Sequence, residues 1–358
     1  MPEYPMPDKW VAAAVGRGLL IPAHPLALTA EGSLDERRQR ALTRYYAAAG
    51  AGGVAVGVHT TQFAIRDFGV MLLKPVLQCA ADTLDEIERA GGPRLVRIAG
   101  VCGKTDQAVR EADLAAGMGY HAGLLSLAAF AEGRTDELVD HCRQVARVMP
   151  IFGFYLQRAV GGRRLGFDFW SGFAEIPNAL AVKIAPFNRY DTLDVVRGVA
   201  AAGCAGEVAL YTGNDDNIIV DLLTRFDVKV NGQSVSQRIV GGLLGHWAVW
   251  TRRAAEIFTR VRGIAEASEA IPPDLLTLAA QVTDGNAALF DVANDFAGCI
   301  AGIQHVLHGQ GLLASPRCLD ADETLSPGQA EQIQRVRRDY PQLVDDEFVA
   351  EHLDEWLS

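Results

Sequence analysis

The chain has 358 residues, 49% hydrophobic and 22% charged, with a formal net charge of −11. That length and balance exclude a disordered chain and supply enough apolar side chains for a large core. With no strongly basic stretch, and acidic clusters near residue 320 and from Asp345 to Glu355, the charge speaks against nucleic acid or an anionic membrane as a partner. The opening MPEYPMPDKW lacks a basic start followed by an apolar core, so no secretory signal is expected. No run approaches the roughly 18 apolar residues that suggest a membrane span. The six cysteines (79, 102, 142, 204, 299 and 318) are scattered, with no CxxC pair, which predicts free thiols in a reduced, cytoplasmic protein.

Residues 1–16 read as a lead-in. RGLLIPAH (17–24) is the first predicted strand. Ser33 is the expected N-cap of a helix reaching about Ala49, with Glu36 as its capping-box partner and Gly50 as its stop. GGVAVGV (52–58) is the second strand, with His59, Thr60 and Thr61 at its C-terminal end. A helix to about Ala90, strand RLVRIAGV (94–101), a helix from Thr105, strand HAGLLSL (121–127) and a helix from Thr135 to Val148 follow.

IFGFY (151–155) and ALAVKIA (179–185) are the fifth and sixth strands, with a long loop and a short helix around Phe169 between them. Each apolar run carries one polar residue, Tyr155 and Lys183. Side chains two apart share a strand face, so Tyr155 aligns with Ile151 and Gly153, and Lys183 with Ala181 and Ala185. The pattern predicts strands packed on helices by their bulky face and opening onto a cavity by the other. A lysine in an apolar cavity loses hydration of its ammonium form, and the neutral amine is the nucleophile for Schiff-base chemistry. A nearby phenol could carry the protons. The same pattern also suits a strand-end lysine that extends its amine to solvent and a tyrosine with a wet hydroxyl.

A helix over roughly Leu193–Ala202, strand GEVALYTG ending at Thr212 and Gly213, a helix capped by Asp215 to about Arg225, strand FDVKV and a long helix over about Gln237–Ala265 complete the alternation. From Ile271 onward only helices are expected, over Leu275–Leu307, Pro327–Arg338 and Asp345–Trp356. Strand and helix alternate about eight times, which predicts an α/β fold, a (β/α)8 TIM barrel over 17–265 with a C-terminal helical segment over 266–358. Active sites of such barrels lie where the strands end, so His59, Thr60, Thr61, Tyr155, Lys183, Thr212 and Gly213 should converge.

On these residues the chain resembles the dihydrodipicolinate synthase / N-acetylneuraminate lyase family of Schiff-base-forming aldolases. The likeness runs from GLLIPAHPLALTAEGSLD through RIAGVCGKTDQAVREADLAAGMGYHAGLL to the helical tail. It implies Lys183 as the lysine that forms an imine with pyruvate or another 2-oxo acid, and Tyr155, at the family's separation, as proton relay. It implies that His59-Thr60-Thr61 occupies the turn that holds the keto acid carboxylate; Thr212 and Gly213, at the end of strand seven, are expected to line the substrate by their place in the barrel. No metal or separate cofactor is implied beyond the covalent lysine–substrate imine. The partners implied are a 2-oxo acid, with an aldehyde as an optional second one, and further copies of the chain in a dimer or tetramer.

The chain departs from the family at several places. Gln62-Phe63 replaces Gly-Glu after the threonines, Leu156-Gln157-Arg158 replaces Asn-Val-Pro after the tyrosine, and Val160 replaces a substrate-binding arginine. Ala129-Phe130 replaces the aromatic pair of the dimer interface, and IAPFNRYDT follows in place of a small polar run after the lysine. Arg158 and Arg189 are candidates for a distal anion or solvated loop charges. GVCGKT lacks the first glycine of a phosphate loop, Ile98 standing there, and His305 with His308 offers too few ligands for a metal. Alternatives to the lyase are a metal-dependent barrel aldolase or hydratase built around His59 and Asp215, and a barrel without catalysis that binds or regulates.

Overall fold

Short runs rich in Val, Ile, Leu and Ala, each bounded by glycine or a polar turn, form the strands, and amphipathic segments between them form the helices. The computed structural model describes residues 3–267 and 270–358. Met1 and Pro2 of the predicted lead-in, and residues 268–269 of the predicted C-terminal segment, lie outside the described residues.

The elements in chain order are α1 (Lys9–Arg17), β1 (Leu20–Pro22), α2 (Glu36–Ala49), β2 (Gly53–Val56), α3 (Leu73–Arg89), β3 (Val96–Val101), α4 (Thr105–Gly117) and β4 (Ala122–Leu125). Then come α5 (Thr135–Ala146), β5 (Ile151–Leu156), α6 (Phe167–Ala174), β6 (Ala179–Ala185), α7 (Arg189–Ala201), β7 (Ala209–Thr212) and α8 (Ile218–Leu223). The rest are β8 (Arg225–Val230), β9 (Gln233–Leu244), α9 (Thr251–Ala267), α10 (Pro273–Leu289), α11 (Cys299–Gly309), α12 (Gln329–Asp339) and α13 (Asp346–Trp356). The eight parallel strands, β1 to β7 and the second half of β9, with helices between them, make a (β/α)8 barrel followed by a C-terminal helical segment.

The chain divides into two compact units. One takes in the chain up to Leu19, Val96–Leu243 and Arg262–Ile271. Here the strands run parallel in the order β3-β4-β5-β6-β7-β9. Apart from the first half of β9, their runs are largely buried on both faces, as parallel strands flanked by helices must be. The other unit is Leu20–Leu95, Leu244–Val261 and Pro272–Ser358. In it Ala23 bridges Ala55 in parallel, α2 packs on α3 and α13, and α10 packs on α12. The Tyr45 hydroxyl of α2 donates to Asp345 at 2.8 Å and accepts from the Thr251 N–H at 2.7 Å.

Several expected boundaries move. FDVKV is not the eighth barrel strand: β8 pairs antiparallel with β9 as a hairpin. Its turn is Asn231-Gly232, both at positive φ (50° and 82°), the backbone a two-residue hairpin favours. The eighth parallel strand is the end of β9, and the long helix begins at Thr251, not near Gln237. Asp35, not Ser33, caps α2, its carboxylate accepting from the Arg38 N–H at 3.1 Å, while Gly50 ends it in the left-handed conformation as expected. The cap of α8 falls on Asn217 rather than Asp215. The expected helix over Leu275–Leu307 is two helices, parted where Asp291, Asp295 and Phe296 take positive φ. Within the predicted lead-in, Lys9–Arg17 is helical.

Candidate active site

Lys183 lies near the end of β6 and is only 8% exposed. Its strand partners in register are Phe154 on β5 and Tyr211 on β7. Register partners in neighbouring strands share a face. The contacts agree: the Lys183 Nζ sits 4.4 Å from the centre of the Phe154 ring, and the Phe152 and Tyr211 rings meet at 5.1 Å. The opposite face carries the helix. A Cβ placed on Gly153 would lie 2.9 Å from Phe173 and 3.0 Å from Trp170, both in α6. Lys183 therefore points away from α6, with Phe152, Phe154 and Tyr211.

Gly213, just past β7, lies on the amine's side. A Cβ there would stand 2.8 Å from Lys183 Cε, 3.0 Å from Lys183 Cγ and 2.7 Å from Ala185 Cβ. The missing side chain leaves the space that the lysine stem occupies.

Tyr155 is not beside Lys183, and this corrects the expected pairing. In register Tyr155 meets Ile184, on the face that packs against α6. Its ring lies 5.5 Å from Trp170, and its hydroxyl accepts from the Leu165 N–H at 3.2 Å. The cause is a bulge. Ile151 pairs with Ala179 but Phe152 pairs with Ala181, so Leu180 is an extra residue in β6. Equal counting from Ile151 and Ala179 would bring Tyr155 opposite Lys183, and one inserted residue turns the tyrosine to the other face. Burial, opposed by the Leu165 N–H and reinforced by the Asp191 carboxylate, pushes the phenol up to about 12. Asp191 in turn pairs with Arg164 at 3.5 Å.

Thr212 faces the same way as Tyr155 and is a structural node. Its hydroxyl donates to the buried Asp221 at 2.7 Å. Asn214 and Asn217 donate to the same carboxylate, each at 3.0 Å, and Arg189 ion-pairs with it. Asn214 also accepts from the Phe187 N–H at 3.0 Å, which ties the turns after β6 and β7 together. Arg189 is thus committed to a buried carboxylate, while Arg158 is exposed in a short turn after β5.

His59, Thr60 and Thr61 form one 3-10 turn after β2 in the second unit. The Thr60 hydroxyl donates to the Ala23 carbonyl at 2.8 Å and the Thr61 hydroxyl to the His24 carbonyl at 2.6 Å. Thr61 Oγ1 also accepts from the Gly57 N–H at 3.0 Å. Both hydroxyl protons are therefore used within the chain. His59 is half-buried, its ring 5.8 Å from Phe63. Gln62 holds a φ of 67°, in the left-handed region that favours glycine, and its Oε1 accepts from the Leu319 N–H at 2.6 Å.

Sequence reasoning missed Phe154, which reads as an ordinary core residue, and the Asp221 carboxylate. The closely spaced Asn214, Asn217 and Asp221 were the available signal for a polar knot at the strand ends, since short amides and carboxylates in turns bind backbone and one another.

Compared as a sequence, the chain matches no family model and no curated protein. Compared as a structure, it matches the dihydrodipicolinate synthase of Acinetobacter baumannii, solved in complex with pyruvate, at a TM-score of 0.71 and 18% identity over 90% of this chain and 98% of that one. Its fold is that of the dihydrodipicolinate synthases and N-acetylneuraminate lyases. The N-acetylneuraminate lyase of Fusobacterium nucleatum gives a TM-score of 0.69 at 16% identity, over 91% and 99% of the two chains. The synthase of Oceanobacillus iheyensis gives 0.73 at 12% identity, over 92% and 99%. This synthase–lyase fold therefore spans nearly the whole chain, at 12–18% sequence identity to these structures.

Proposed function

We propose that the chain is a lyase that forms a Schiff base between Lys183 and pyruvate or another 2-oxo acid, and makes or breaks a carbon–carbon bond next to it. The observation that carries this reading is the buried amine of β6, held between the Phe154 ring and the space left by Gly213. The shared fold and the pyruvate complex of the Acinetobacter protein support the substrate class.

In this reading the neutral amine adds to the ketone carbon, and the nitrogen's proton passes to the oxygen. A further proton from water lets the carbinolamine hydroxyl leave as water, and a protonated imine remains. The imine draws electrons from the adjacent carbon, so a bond one carbon away breaks or forms. Water carries the protons, because Tyr155 faces α6. Cyanoborohydride with pyruvate tests the reading: hydride adds to the imine carbon and fixes the adduct on the Lys183 peptide, and Lys183→Met abolishes it.

The Phe154 contact also favours a second reading, a barrel that captures a carbonyl compound without turning it over. A phenyl ring beside the amine has no proton to give. Trapping without product release under steady-state conditions supports that second reading.

A further inference from the structure

The second unit holds a half-enclosed cavity of about 260 Å³ that the lyase reading does not use. Its floor is apolar, formed by Ala301 of α11 and by Leu325, which pack with Ile300 and Cys318. The Cys318 thiol is 2% exposed and, among the described residues, makes no hydrogen bond. Two carboxylates close the space, Glu323 half-buried and Asp320 at the rim. Neither has an ion-pair partner among the described residues. Burial first, then the charge of Asp320, raises the Glu323 carboxyl above its usual range, against the Ile300 N–H that lowers it.

The cationic groups in the lining do not offset this. Arg317 donates its Nη1 to the Ala30 carbonyl at 3.0 Å, and its guanidinium lies over Gly32, so its head is held at the 30–32 turn. Burial, and then the charges of His308 and Arg337, lowers the pKa of His305, which favours its neutral form. Asp320 accepts from the Asp322 N–H at 2.9 Å and Glu323 from the Ile300 N–H, but neither meets a cation among the described residues. Two such carboxylates over an apolar floor are complementary to a positive charge on a compact apolar body. The volume falls below the roughly 300–1,000 Å³ of pockets for drug-sized ligands, so the ligand is small.

We propose that this cavity is a binding site for small organic ammonium ions, with the ammonium on Glu323 and Asp320 and the alkyl body on Ala301, Cys318 and Leu325. The proposal stands whether or not Lys183 forms an imine.

Calorimetry on the full-length protein tests it, with isobutylammonium, isobutanol and isobutyrate as probes. Isobutylammonium binds with one site, and the alcohol and the carboxylate bind at least tenfold more weakly. Glu323→Gln weakens the ammonium at least tenfold. Asp320→Asn, at the exposed rim where folding is not at stake, weakens it several-fold. Lys183→Met leaves it unchanged. No saturable binding of the ammonium at millimolar concentration, equal binding of the alcohol, unchanged affinity in either carboxylate variant, or loss of binding in Lys183→Met overturns the proposal.

Discussion

Phe154, not Tyr155, is the residue that lies beside Lys183 across the β5–β6 ladder, its ring centre 4.4 Å from the amine. A ring face favours a cation held over it, by about 0.5–2 kcal/mol, so this contact opposes the proton loss that attack on a ketone requires. Phe154→Tyr puts a proton-bearing group on the amine's face and should speed trapping by cyanoborohydride at least threefold. Tyr155→Phe should leave the trapping rate within about twofold and lower stability by about 1 kcal/mol through loss of its hydrogen bond to Leu165. Loss of trapping in Tyr155→Phe with an intact fold would show that the phenol reaches the reaction.

Gly213 sets the path of the lysine stem. A methyl group there would stand 2.8 Å from Lys183 Cε and 2.7 Å from Ala185 Cβ, closer than carbon atoms pack. Gly213→Ala should cost about 1–3 kcal/mol of stability and cut trapping at least tenfold. Denaturant midpoints and trapping rates read the two effects separately. Unchanged trapping would mean that the stem moves aside freely.

The Asp221 knot should dominate local stability. Asp221→Ala strips one acceptor from Thr212, Asn214, Asn217 and Arg189 at once, leaving donors unpaired. Each buried donor left unsatisfied costs about 1–3 kcal/mol, while Arg189, with its side chain 44% exposed, turns to solvent. A urea midpoint close to that of the parent chain would contradict it.

Three buried histidines, His24, His246 and His141, make stability depend on pH. Burial lowers His24 to about 4, against the backbone bond to Pro25 that raises it, and His246 is also lowered to about 4 by burial, against its bond to Asn286. Each ring is neutral when folded and takes a proton more readily when unfolded. Between pH 4 and 6.5 the unfolded chain binds more protons, so stability rises with pH across that window and is complete above it. Urea midpoints measured from pH 4 to 7 should climb through it. A flat profile would show that the rings are not held neutral by the fold.

The periodicity of the apolar runs made the barrel and most of its strand ends legible, because a parallel sheet buried on both faces leaves near-continuous apolar stretches. The eighth strand was missed because Asn231-Gly232 was not read as a hairpin turn and QSVSQRIVGGLL alternates as a strand, not as a helix. Lys183 stood out as a polar residue in an apolar run. Tyr155 stood out for the same reason, and its facing was misjudged because nothing in ALAVKIA announces that Leu180 is a bulge. Residue spacing gives separation along the chain; the ladder decides facing. The threonines after β2 show a related limit. Their identity suggested a ligand, whereas their hydroxyls already serve the carbonyls of Ala23 and His24.

The central question is whether the buried amine of Lys183 forms an imine with a 2-oxo acid. The most direct measurement is peptide mass analysis of the full-length protein after cyanoborohydride reduction with pyruvate. A single adduct on the peptide that contains Lys183, absent from Lys183→Met, is the expected result. An unmodified Lys183 peptide in the folded protein, or label spread over surface lysines and persisting in Lys183→Met, would contradict the Schiff-base reading.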